Sequence, residues 1–393
     1  MKFYIYAIIL TIPLQDVAIS IGNTNHITIF EFIALASLSM SPFFFPKKVY
    51  YPKASAFLFL LCIWIFIGAF FTINPFSAIA KVFKIMLNLY VLLLVYNYLL
   101  RENSADKLIS LIKKVALLES VFSVIEYVFI NFIGENVIFH ATQAVGEVKR
   151  VDGTFNDANY LGLYIACSFI IVFTDILFNK KRGRFDKLLA VFLFAVLLLT
   201  LSRSGLLAAL AGVAIVLTSY YSSKQQLNRL IKYIIALFPV TLIVLISLMG
   251  VYPDFFERYT TMFDLDRGDV YVRIVQYLTA IAMYRDNMLL GVGAGNYMNY
   301  IQYYNGYTGG SLIPHNSFLE IAAETGTIAL LLMVSFFIYI IKDAWRYRDN
   351  EYNVIMLGCV VATLISGFFY SNIYYQMPLF IYLAIGYSRC YQK

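Results

Sequence analysis

The fold class this sequence predicts is an all-α polytopic membrane protein with one large external loop. Three observations predict it. The 393 residues are 61% hydrophobic and only 13% charged, against about 25% charged in an ordinary soluble protein. Mean hydropathy is +0.74, more apolar surface than a soluble domain could cover. The apolar residues also arrive in segments of about 20, the length an internally hydrogen-bonded helix needs to cross the hydrocarbon.

About twelve such segments can be read, near 3–21, 27–45, 54–72, 79–99, 110–133, 158–178, 187–202, 204–221, 230–250, 326–342, 352–371 and 376–390. The seventh and eighth are short and share a tight turn at SRSG. Met1–Ser20 has the apolar stretch and small residues of a signal peptide, but with spans continuing to the end it reads as a retained first helix. Basic residues then set the sides. Lys47, Lys48 and Lys53, then Arg101 and Lys107, the run from Lys180 to Lys187, Lys224 and Arg229, Lys342 to Arg348, and Arg389 with Lys393 all fall on one side when Met1 lies inside. Both termini are then cytoplasmic, and loops 134–157 and 251–325 are external. The net charge of +7 collects in these connections, so it points to the membrane and not to nucleic acid. Cys62, Cys167, Cys359 and Cys390 are neither paired in C-x-x-C nor clustered, as expected of free thiols packed as small hydrophobes.

A second set of basic residues runs against this pattern: Lys81, Lys84, Arg150, Arg203, Arg258, Arg267, Arg273, Arg285 and His315 lie at or beyond the outer surface. Binding an anion is one reason to keep them there. Pairing with the nearby acids, from Glu135 to Asp269, is the other. Lys84 and Glu126 fall at similar depth in neighbouring spans, which suggests a structural ion pair, with a phosphate contact by Lys81 or Lys84 as the alternative. Residues 270–287 place Val270, Ile274, Leu278 and Ile281 at helical spacing, with Arg273 and Gln276 off that stripe, as in an amphipathic helix lying in an interface. Pro314 and Asn316 around His315 mark a helix entry. GVGAG at 291–295 lacks a preceding strand and has Asn296 where a dinucleotide fingerprint needs glycine, so it reads as tight turning. Tyr297, Tyr300, Tyr303, Tyr304 and Tyr307 suit either sugar stacking or a membrane-interface belt. DLDRGD at 264–269 lacks the length of a calcium loop, and neither a metal site nor a cofactor is expected.

Four blocks, in order and all on the expected outer face, resemble the O-antigen ligase and polymerase superfamily of membrane glycosyltransferases. They are RVDGTFNDANYLG at 150–162, TLSRSGLLA at 200–208, Arg273 with Tyr277 followed by LLGVGAGNY at 289–297, and PHNSFLEIAAETG at 314–326. Ala158 stands where the first block commonly has proline. The resemblance implies a GT-C-like fold. Its donor is a polyprenyl-diphosphate-linked glycan in the bacterial inner membrane, transferred on the outer face with inversion to a glycan or lipid acceptor. Ligases use lipid A core as acceptor; polymerases use the next lipid-linked repeat unit, with a chain-length regulator among the partners. A polymerase is expected here, because the N-terminal half and the tyrosine loop look tailored to one glycan. A transporter would instead show mid-membrane charges and internal repeats, and only Glu119 leans that way. On the family's motifs, Arg203 and Arg273 match functional arginines whose planar forks suit a diphosphate leaving group. For Arg203 a snorkelling arginine is the plain alternative. His315 is the candidate base or phosphate binder. Arg150, Asn316, Glu324, Lys81, Lys84 and Tyr297 are the expected substrate-binding residues.

Overall fold

The computed structural model describes residues 1–14, 18–21, 25–45, 48–133, 144–145, 148–155, 157–179, 183–229, 232, 268–304, 313–371, 373 and 376–390. Apart from Lys232, the expected ninth span lies outside them, as do residues 251–267 and 305–312 of the large loop and much of loop 134–157, with His140, Arg258, Arg267 and Tyr307.

The chain opens with α1 (Lys2–Thr11). Pro13, which has no N–H and a ring that clashes with the preceding turn, helps end it. The alternating, β-branched sequences Ala18–Ile21 (β1) and Asn25–Thr28 (β2) then pair antiparallel, Ala18 opposite Thr28. The expected span at 3–21 is therefore corrected to a ten-residue helix and a hairpin strand. α2 (Ile29–Ser39) starts on a capping box in which Thr28 and Glu31 serve each other's backbone N–H groups, and a short α3 (Ser41–Phe44) follows. α4 (Ser55–Gly68) runs into a 3-10 turn, and α5 (Pro75–Glu102) begins on Asn74 with proline at its first position and ends on Asn103 in the left-handed region.

α6 (Ala105–Val128), a two-residue hairpin of β3 (Ala144–Val145) and β4 (Val148–Lys149), and α7 (Ala158–Phe178) come next. Asp157 caps α7, so the helix begins at Ala158 without the proline. α8 (Arg184–Leu199) and α9 (Arg203–Ser223) meet at a turn in which Leu201 has φ 49° and Ser202 caps α9. α10 (Gly268–Asp286) is the expected amphipathic helix. α11 (Tyr297–Tyr300), α12 (Ser317–Arg346), α13 (Glu351–Gly367) and α14 (Met377–Cys390) complete the described chain.

Among the described residues the architecture is all-α apart from two small hairpins. α5, α7, α9 and α12 are long and apolar enough to cross a membrane, while α1, α2, α4 and α13 are shorter apolar helices. Twelve spans were expected; four described helices meet that standard of length. α9 runs 21 residues, longer than the weak eighth span expected from the sequence. At the centre α7, α9 and α13 pack on one another, with α14 against α5 and α13. Small residues allow the close approach: a Cβ added to Gly205 would lie 3.0 Å from the Gly162 backbone, and one added to Gly212 would lie 3.0 Å from the Gly358 carbonyl. Gly205, in the SRSG turn, lets α9 rest on α7. All four cysteines are free and buried.

The bundle has two polar ends. At one, the start of α6 and the ends of α7 and α14 meet the start of α13: Asn179 donates to Glu351, Tyr352 to Asp106 (2.8 Å each), and Cys390 lies against Asn353. There a cavity of about 620 Å³, lined in part by Asp106, Lys107, Lys113 and Lys114, surrounds buried Lys113, which is held by Asp175 and by Asp186 at 2.9 Å. The opposite end gathers the starts of α5, α7, α9 and α12 and carries the expected site residues.

Candidate functional site

His315 sits between Pro314 and Asn316, the cap of α12. Its φ of 48° is a left-handed conformation that few side chains adopt, histidine more often than most. The backbone is held there from both sides. Asn316 Oδ1 accepts from the N–H groups of Phe318 and Leu319 at 3.0 Å, and its Nδ2 donates to the Phe368 carbonyl at 3.2 Å. Tyr277 Oη lies 3.4 Å from the carbonyls of both His315 and Phe368. Ser317 Oγ donates to Tyr370 O at 2.6 Å. Asn316, expected to bind substrate, spends its oxygen and one amide N–H on building the turn.

Among the described residues no hydrogen bond holds the imidazole itself. Its Nδ1 is buried and has no hydrogen-bond partner among the described residues, an uncommon condition for a buried polar atom. Burial, and then the positive charge of Arg273, push the imidazole down to about 4, with Asp157 opposing. Arg273 and Asp157 therefore both bear on His315. Among the described residues no hydrogen bond or salt bridge engages the Arg273 guanidinium.

α10 presents Arg273 by an arrangement the sequence half revealed. Ile274, Leu278 and Ile281 do share a stripe, but it points away from the protein, with Leu278 61% exposed. The face packed on α12 is made by Gln276, Thr279, Ala280 and Met283, all buried. Arg273, one helical turn before Gln276, and Tyr277, the residue after it, flank that packed face and so reach the His315 turn.

Asp157 and Asn159 at the start of α7 tie the second block to the first. Asp157 Oδ1 accepts from Asn159 N–H at 2.6 Å. Asn159 Oδ1 accepts from Ser202 Oγ at 3.0 Å and from an Arg150 terminal nitrogen at 3.1 Å. Arg150 Nε also donates to Thr200 O at 3.1 Å, and the side chain is buried. Arg150, expected as a substrate contact, is a brace between the α8–α9 turn and α7. Arg203, the first residue of α9, is half-buried beside this brace and has an interaction partner of its own. Asp157, which the sequence reading passed over, stood in the quoted FNDAN block; an Asp directly before a helix is the signature of a cap.

The remaining expected contacts lie behind this surface. Lys81 Nζ bridges Glu320 Oε1 at 2.8 Å and Glu324 Oε2 at 2.5 Å. Glu324 also accepts the N–H groups of Gly295 at 2.8 Å and Tyr297 at 3.2 Å. Tyr297 is buried at 2% exposure and donates to Gln276 O on α10 at 3.0 Å. Burial, then Glu324, raise its phenol pKa, so it stays a neutral donor. Lys81, Glu324 and Tyr297, expected as substrate contacts, lie together in this buried network. Lys84 meets Glu31 at 3.5 Å, not Glu126, which accepts from Gly153 N–H at 2.8 Å. Glu119 accepts from Thr154 N–H at 2.9 Å and Thr154 Oγ1 at 2.7 Å. The two α6 carboxylates therefore hold the first block's GT turn, and Glu119 no longer favours transport. Tyr300 and Tyr304 pack on the small core around Tyr297, and Tyr303 is exposed.

Gly291, Gly293 and Gly295 all have positive φ, and a Cβ on Gly291 would run into the Glu324 backbone. The tight-turn reading of GVGAG thus stands, with a close approach added. Among the described residues no three His, Cys, Asp or Glu side chains gather as metal ligands.

Residues 188–334 match a family model described as O-antigen ligase. The match spans three of the four blocks, including Arg203, Arg273 and His315, and supports the O-antigen ligase and polymerase superfamily; it implies a function of ligase or polymerase type. No curated protein matches. One chain from a solved structure, described as the structural coordination of polymerization and crosslinking by a peptidoglycan synthase complex, is similar at TM-score 0.46 and 15% identity. The similarity covers 88% of this chain and 100% of that chain, too loose to carry an argument.

Proposed function

We propose that this chain, which residues 188–334 tie to the O-antigen ligase and polymerase superfamily, is a surface-polysaccharide polymerase of the bacterial inner membrane. It takes a glycan from a polyprenyl diphosphate on the outer face and joins it to the next lipid-linked repeat unit. The observation that carries the reading is the adjacency of Arg273, unpaired among the described residues, and His315, whose buried Nδ1 has no partner there.

In this reading the acceptor hydroxyl oxygen attacks the anomeric carbon from the face opposite the diphosphate. The bond from that carbon to the phosphate oxygen breaks, and the electron pair leaves with the diphosphate. Arg273 and Arg203 take up the developing charge, a contribution of about 3–4 kcal/mol per well-placed donor. The hydroxyl proton passes to the imidazole of His315. Before the donor binds, burial and then Arg273 keep that imidazole neutral; the diphosphate then offsets the arginine and raises its proton affinity. Base strength thus arrives with the substrate. Both termini lie in the cytoplasm, and neither cofactor nor metal takes part.

The family description names a ligase, so transfer to lipid A core is the second reading. An acceptor assay in membranes separates them. A ladder of lipid-linked products without added core is expected. Product only with core present would make the chain a ligase, and no transfer in either mix from the correct donor would end the enzyme reading.

A further inference from the structure

Resting on the transfer reading above, we propose that the buried Lys81–Glu320–Glu324 cluster is a positioning device. It holds the His315 turn and the Arg273 helix in fixed register. None of the three residues touches the reacting atoms.

The need for such a device follows from a break in α12. Gly326 has φ 75° and ψ −173° inside the helix. The segment 317–325 that carries His315 at its head is therefore not continuous with 327–346. A break in a helix strands carbonyls that the next turn would have satisfied. Here outside groups take them in order. Ala323 O accepts from Val292 N–H at 2.9 Å, Glu324 O from Gly293 N–H at 2.8 Å, and Thr325 O from Trp64 Nε1 at 3.0 Å. On the other side of the break, Thr327 N–H donates to Met288 O at 2.8 Å. The short segment is held sideways, by the glycine loop and by α4, instead of lengthwise by its own helix.

Lys81 closes this arrangement from α5. Its ammonium joins two carboxylates one turn apart on the short segment, with side-chain exposures of 12%, 4% and 3% for Lys81, Glu320 and Glu324. Glu324 then extends the link by accepting Gly295 and Tyr297 N–H groups, and Tyr297 Oη reaches Gln276 O on α10. Gln276 is one turn from Arg273. A continuous path thus runs from α5 through the short segment and the glycine loop to the arginine helix. Both functional groups are set by one buried ion cluster, which is itself out of reach of a lipid-borne substrate.

The test uses the full-length protein in lipid nanodiscs, with Lys81→Met, Lys81→Arg and Glu320→Gln. Two readouts are taken: hydrogen–deuterium exchange of peptides covering 268–286 and 313–325, and steady-state transfer. Lys81→Met is expected to raise exchange in both peptides together, to lower kcat by about 100-fold and to change the donor KM by no more than about threefold. Lys81→Arg should recover most of both. A donor KM that rises with kcat unchanged would make Lys81 a substrate contact and overturn the proposal. So would faster exchange in 313–325 with none in 268–286. Should Lys81→Met not fold, Glu320→Gln carries the same expectation in weaker form, and unchanged exchange in that variant overturns the proposal. The exchange readout needs no turnover, so a native protein with no transfer activity ends the functional reading while leaving the clamp to be judged separately.

Discussion

Two cationic groups at the same end of the molecule met opposite fates. Lys81 is saturated: two carboxylates surround it, and the nearer one is itself filled by two amide donors. Arg273, on a neighbouring element, has no hydrogen bond or salt bridge among the described residues, and the imidazole beside it carries a buried, unpartnered nitrogen. Both cations break the charge pattern of a membrane protein, and sequence position alone does not separate them. What separates them is whether the fold spends its own acceptors on the charge. A saturated cation contributes to holding the structure; an unsaturated one remains available to a ligand.

Four expectations press on that contrast. The largest concerns stability. Lys81→Ala leaves two buried carboxylates uncompensated and should cost about 3–5 kcal/mol, read as a lowered unfolding midpoint of the purified protein. A loss within the range of a surface substitution would mean that the cluster is not a structural anchor. Arg273→Ala is the mirror image. It should lower kcat/KM by about 10²–10³-fold while moving stability by no more than about 0.5 kcal/mol, and near-native transfer by this variant would remove Arg273 from the site.

The third expectation is in pH. His315 must be neutral to accept a proton, so activity falls as pH drops through its pKa. In the free protein that value is about 4, which places the acid limb of kcat/KM near there. With diphosphate bound beside Arg273 the value rises, so the acid limb of kcat should lie at higher pH than that of kcat/KM. Coincident limbs would contradict a base primed by its substrate. The smallest effect is expected at Asn316→Ala, which removes the cap of α12 and should cost about 1 kcal/mol of stability, measured by chemical denaturation. No change would mean that the Ser317–Tyr370 tie alone holds the His315 turn.

Much of this was written locally in the sequence. The span at 158–178 is bounded by an Asp cap and an unbroken apolar run, both of which act over a few residues, and the helix observed is Ala158–Phe178. The helix entry at Pro314–Asn316 and the tight turns of GVGAG were legible for the same reason. Long-range pairing was not. Lys81 and Glu324 lie 243 positions apart, and depth along the membrane pointed Lys84 toward Glu126 when its partner is Glu31. α12 misled in another way. The apolar pattern starts a span at Gly326, whereas the fold makes it a break inside a longer helical run, because the bonds that tolerate the break come from residues 288–293 and Trp64. The orientation of α10 escaped the reading as well. Its apolar stripe was correctly located, but the packed face is built from Gln276, Thr279, Ala280 and Met283, a mixture that hydropathy does not register.

That orientation gives α10 the character of a float. One side is oiled by Ile274, Leu278 and Ile281, and the flank carries the arginine, so a bilayer on that side would pull on a helix that the buried Lys81 cluster holds from the other. Acyl-chain length then tests which of the two prevails. In bilayers graded from thin to thick, turnover should stay flat while the cluster holds, and an optimum at one thickness would mean that the lipid moves Arg273 relative to the His315 turn.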